Sequence, residues 1–157
     1  MKIKIDDLDK TYDKCQAEGS IKLREKVDKE LIKSLLDSAK KGLDRSKDVE
    51  GVYENKSHNF SFIFTERYEI LRKLLDAIML FDNVRSSNHQ CVNAYICIKH
   101  PELELDWESL ETMRLLRNRV NYEGKTVLED TWKTYKIKFE IYISSLMKIV
   151  EKKLMNN

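Results

Sequence analysis

Polar chemistry concentrates in one stretch, Arg114-Leu115-Leu116-Arg117-Asn118-Arg119-Val120-Asn121-Tyr122-Glu123-Gly124, which places three arginines and two asparagines at a helix end. Guanidinium forks and side-chain amides are the groups that hold phosphate or carboxylate oxygens. With successive residues turned by about 100°, Leu110, Met113, Leu116 and Val120 form an apolar stripe, and Arg117 and Asn121 fall within its span. Arg117 is therefore directed toward packing. A guanidinium in that position needs hydrogen-bond partners or an anion, because burial without either is costly. Arg114, Asn118 and Tyr122 lie a turn or less away. The competing expectation is a structural network in which Arg117 braces loop carbonyls or acidic side chains of adjacent helices.

Other site chemistries find little support. The three histidines, His58, His89 and His100, include no pair at the three- or four-residue spacing that puts two ligands on one helix face, so no metal site is expected. Neither a glycine-rich phosphate loop nor a Gly-x-Ser-x-Gly turn occurs, and no cofactor is implied. His89 follows the cap-rich Ser86-Ser87-Asn88 and is either a packing residue or an acid or base. Cys15, Cys91 and Cys97 are odd in number and form no CxxC, which suggests neither a disulfide framework nor a zinc knuckle, and a reducing cytoplasm fits. With a net charge of only +2, any affinity for nucleic acid has to rest on a local patch.

The elements that must position these residues are helices. Charged residues make up 36% and hydrophobic ones 41% of the 157, with four Gly and one Pro, a profile of long helices. Residues 1–27 read as an accessory segment containing a short helix over 6–18 that stops at Gly19-Ser20. A second helix begins after the cap Asp28, with Leu31, Ile32, Leu35, Leu36, Ala39 and Leu43 on one face. Asp48 to Ser57, with Gly51 and Asn55, reads as a loop. Phe60 to Asp82 is the most apolar region and should be the central helix; Phe60 to Phe64 alternates like a strand but has no partner strand. A shorter helix is halted by His100-Pro101, Asp106 caps the next, and Gly124 ends it. Leu128, Trp132, Tyr135, Phe139, Tyr142, Leu146 and Ile149 alternate by four and three, the seam of a final bundle helix. The expected core includes Leu71, Leu75, Met113, Leu116, Trp132, Phe139 and Leu146. The sum is one all-α domain over 1–157, an antiparallel bundle of four to five main helices. The charged amino terminus resembles no signal peptide and no segment is long enough to span a bilayer, so a soluble, cytoplasmic protein is expected.

The order of these helices, with Tyr68-Glu-Ile-Leu-Arg-Lys-Leu-Leu-Asp-Ala on the central one, then Ser-Ser-Asn-His, then Leu-Arg-Asn-Arg-Val-Asn-Tyr-Glu-Gly, resembles the HEPN domains, particularly archaeal members. The likeness covers roughly Asp28 to Leu154, and its sharp part is about ten residues. It implies a helical bundle, a homodimer whose facing motifs make one cleft, metal-independent ribonuclease chemistry, and pairing with a minimal nucleotidyltransferase as toxin and antitoxin.

In the same terms Arg117 matches the motif arginine and Asn118 the polar residue after it, while Tyr122 stands where a histidine is expected. Cutting RNA without metal requires a base, an acid and a cation on the phosphate. Arg117 can serve as the cation. Tyr122 is a poor base near neutrality, and Asn118 and Asn121 orient without transferring protons. The expectation is an RNA- or nucleotide-binding module with degenerate or weak ribonuclease activity. Arg114, Arg117, Arg119 and Asn121 would bind, and His89 is the substitute acid or base. The alternatives are an active ribonuclease and a purely structural interaction bundle.

Overall fold

A computed structural model describes residues 3–56 and 58–156. The chain is an all-α bundle: α1 (Leu8–Ala17), α2 (Lys29–Lys56), α3 (Ser61–Phe81), α4 (His89–Lys99), α5 (Trp107–Glu123) and α6 (Glu129–Asn156). A 3-10 turn, Pro101–Leu103, links α4 to α5. The strands β1 (Lys22–Leu23) and β2 (Val84–Arg85) form a minimal antiparallel pair, Lys22 opposite Arg85 and Leu23 opposite Val84. Among the described residues no helix is long and apolar enough to cross a membrane.

The helix starts follow from local chemistry. Asp7, Asp28, Asn88 and Asp106 each place a side-chain oxygen 2.9 to 3.2 Å from a free first-turn amide, of Lys10, Leu31, Cys91 and Ser109 respectively, satisfying donors that a helix leaves open. Gly124 closes α5 in the left-handed conformation, φ 63°, which costs glycine least. One boundary departs from expectation. The stretch from Asp48 is a continuation of α2 through Lys56; Ser57 lies outside the described residues. Gly51 costs a helix only about 1 kcal/mol, and Glu50 is tied to α3 through Arg67 at 3.0 Å.

α3 is the central helix. Ile63, Phe64, Ile70, Leu71, Leu74, Leu75 and Ile78 are buried against the surrounding helices. Its close approach to α2 is set at Gly42, where a Cβ would come within 3.3 Å of Ile70. On α6, Phe139 meets the Phe64 ring edge-on with centroids 5.2 Å apart, and Trp132 stacks on Phe60. The expected α6 seam and one expected core residue need correction. Leu128 precedes α6 and is 60% exposed, whereas Ile143 and Val150 are buried, because an uncoiled helix of 3.6 residues per turn drifts off a seven-residue repeat. Leu116, expected in the core, is only partly buried and lines an open pocket with Val120 and Val127.

The cysteines overturn the expectation that no disulfide forms. Cys15 of α1 is bonded to Cys91 of α4, 76 residues away in sequence. Their proximity comes from the packing of α1 on α4, which no local spacing encodes. Cys97 is free, and burial pushes its thiol up to about 12.

A second cluster fixes the far ends of α3 and α4. Asp82 accepts the Tyr95 hydroxyl at 3.0 Å and a bond from His100 Nε2, while His100 Nδ1 pairs with Glu102 at 2.8 Å.

The burial pattern sets an order of sensitivities. Leu71→Ala should cost about 2–5 kcal/mol in urea unfolding. Leu116→Ala, beside open space, should cost distinctly less, and equal losses would contradict the packing described.

Candidate functional site

Three helices bring the polar residues together. α3 presents Glu69, Arg72 and Asp76 at spacings of three and four, hence on one face. α5 presents Glu111, Arg114, Arg117 and Asn118, and α4 contributes His89 and Asn93. Glu69 is the junction: one carboxylate oxygen accepts from Arg117 Nη2 at 2.7 Å, the other from Arg72 Nη1 at 3.2 Å. Arg72 also lies 3.9 Å from Asp76.

Arg117 is held toward packing, as its place in the stripe requires. Its side chain is 14% exposed, it lies over the Tyr68 ring at 5.8 Å, and Nη1 reaches Asn118 at 3.3 Å. Its buried Nε has no hydrogen-bond acceptor among the described residues. Arg114 is engaged differently. It forms a bidentate pair with Glu111, both contacts 2.9 Å, and Glu111, only 1% exposed, also accepts from Asn93 at 2.9 Å. That satisfied network braces α5 on α4.

His89 joins this cluster. The half-buried imidazole opens α4 and is lowered to about 4, first by burial and then by the Arg72 and Arg117 guanidiniums; Glu69 opposes them less strongly than either arginine, and Arg114 adds to the lowering. The imidazole is therefore neutral near pH 7, with one ring nitrogen able to accept a hydrogen bond. Burial raises Asp76 to about 6 against the pull of Arg72 and Arg85. Burial also raises Tyr68.

The other expected site residues lie elsewhere. Asn121 and Tyr122 are exposed in the last turn of α5, Tyr122 at 77%. Tyr122 is about 140° around the helix from Arg117, so the two do not share a face. Asn121 misses the packed span because the cover over α5 ends before its last turn. Arg119 lines the separate pocket beside Leu116, Val120, Glu123 and Lys125. Sequence spacing passed over Glu69, Arg72 and Asp76; their common helix face was the available signal. Among the described residues, no group of three or more His, Cys, Asp or Glu side chains converges as a metal site.

Compared with known proteins, the sequence matches no family model and no curated protein.

The electrostatics lead to opposite titrations for two histidines. By NMR, His89 should titrate near 4, below its ordinary 6.5. His100 should titrate above 6.5: burial opposes its charged form, but the bonds to Asp82 and Glu102 outweigh burial. The unfolded chain binds more protons at His89 between about 4 and 6.5, so that contribution to stability falls as pH drops through this window. For His100 the folded state binds more, and its contribution is lost as pH rises through the raised value. Arg72→Gln should move His89 upward; an unchanged His89 would contradict the assigned cause.

Proposed function

We propose that the chain is a HEPN-like module that binds RNA or a nucleotide through phosphate, at the α3–α4–α5 cluster. The observation that carries this reading is the convergence of Arg72 and Arg117 on the one partly exposed carboxylate of Glu69, beside an Arg117 Nε with no acceptor among the described residues. Glu69 holds the place of the anion. A phosphate that displaces it gains two guanidiniums already aimed at one point, and fills the open valence of Arg117. Arg114, committed to Glu111, serves as a brace, and Asn118 orients Arg117. Arg119, Asn121 and the exposed Tyr122 belong to a more distant contact surface.

By the resemblance, the module acts in a toxin–antitoxin or defence system with a nucleotidyltransferase partner, and two copies meet along α5. The exposed Asn121 and Tyr122 are available to such a contact. Light scattering on dilute protein should give twice the 18.7 kDa chain mass; a persistent monomer would argue against a composite cleft.

Active cleavage is favoured by one observation: His89 offers a neutral imidazole beside Arg117, which Tyr122 does not. Its lowered pKa makes it a weak base in the free protein, and a bound phosphate would raise it toward neutrality.

The test is binding of a single-stranded oligoribonucleotide, followed by fluorescence anisotropy in EDTA. Arg117→Ala should weaken binding by about tenfold or more, the loss of a charge-assisted fork being worth roughly 1.5–3 kcal/mol, while the helical spectrum is retained. Unchanged affinity would remove the site from Arg117. EDTA-resistant cleavage that disappears in His89→Ala would decide for the ribonuclease.

A further inference from the structure

α1 stands apart from the rest of the bundle in how it is held. Thr11 and Cys15 are its only buried residues, and Tyr12 is partly buried against the core, so α1 removes little apolar surface from water. Its fastenings are the Cys15–Cys91 disulfide and a few polar contacts at its leading end. Trp107 Nε1 donates to the Asp6 carbonyl at 2.9 Å, and Gln90 Nε2 donates to the Asp6 carboxylate at 3.2 Å. Lys99 lies over the Tyr12 ring at 5.9 Å.

Both cysteines line an open pocket of about 290 Å³ between α1 and the start of α4, whose charged lining is mixed: Asp6, Asp7 and Glu18 beside Lys10 and Lys14. Cys15 and Cys91 are themselves only 3% and 2% exposed, so a reductant entering this opening reaches a sulfur once α1 shifts locally. The location matters because Cys91 is two residues beyond His89. The leading end of α1 places Asp6 against Gln90, where its negative charge also acts on Arg114.

We propose that the Cys15–Cys91 disulfide is a redox latch, which holds α1 over the start of α4 and releases it on reaction with a dithiol reductant. A thiolate of the reductant attacks one sulfur, forming a mixed disulfide and expelling the other cysteine as thiolate. The second thiol of the reductant then displaces the remaining cysteine, leaving Cys15 and Cys91 reduced and the reductant as its own disulfide. Two electrons pass to the protein, and the reverse exchange closes the latch. Release withdraws Asp6 from α4 and α5 and bares the helix start that carries His89, favouring anions there. This last consequence rests on the phosphate-binding reading above; release of α1 does not.

The experiment is hydrogen–deuterium exchange of the full chain, oxidised and then treated with dithiothreitol, with thiols counted before and after. Cys15→Ser/Cys91→Ser serves as a permanently open form, and Cys97→Ser removes the unrelated thiol. Reduction should release two thiols and speed exchange in α1 by about tenfold or more while α3 and α6 keep their protection. The double variant should match the reduced protein. An α1 that stays protected after reduction, a disulfide that resists dithiothreitol in the folded state, or loss of protection throughout the bundle in both open forms would each overturn the latch. Oligoribonucleotide affinity is then compared between the two states. Stronger binding after release supports the coupling, and equal measurable binding overturns it. Absence of binding in both states refutes the phosphate site, while exchange in α1 still decides the latch.

Discussion

The carboxylate of Glu69 is the interaction on which the polar half of the molecule depends. Arg72 and Arg117 reach it from α3 and α5, and without it two like charges would face each other in a partly buried space. At 29% exposure the carboxylate is only partly withdrawn from water while it holds both guanidiniums. A fully buried ion pair resists opening because each partner would be left uncompensated. The Glu111–Arg114–Asn93 network, with Glu111 only 1% exposed, is the more closed of the two arginine pairs.

Much of the fold was legible in the sequence because it is written in local signals. Asp28, Asn88 and Asp106 announce helix starts by their own side-chain chemistry, Gly124 announces a stop, and the apolar faces of α3 and α6 follow the helical period. The extension of α2 past Asp48 was not legible, since what holds it is a contact between Glu50 and Arg67, 17 residues apart. The disulfide escaped for the same reason on a larger scale. Its two cysteines become neighbours only after α1 has docked on α4.

The site was legible in part. Arg117 fell on the packed face of α5 as its spacing required, and helical periodicity is enough to say so. Its partner was out of reach of that argument, because Glu69 lies 48 residues earlier and only the α3–α5 contact joins them. His89, which the sequence offers as either a packing residue or a substitute acid or base, owes its lowered pKa first to burial and then to arginines on two other helices. Tyr122 shows the converse: five residues along a helix carry it away from Arg117, however suggestive the linear motif.

A consequence of this arrangement is that the bundle scaffold and the polar cluster are separable. The aromatic packing of Phe60, Phe64, Trp132 and Phe139 joins α3 to α6 and includes none of the charged residues of the cluster, although Arg117 touches the same core through the Tyr68 ring. The most direct measurement is therefore phosphate affinity in Glu69→Gln, read by isothermal titration with inorganic phosphate and with an oligoribonucleotide. If Glu69 occupies the place of an anion, removing its charge should tighten binding of both ligands despite some loss of stability. Affinity that is unchanged or weakened would mean that Arg72 and Arg117 serve the fold alone.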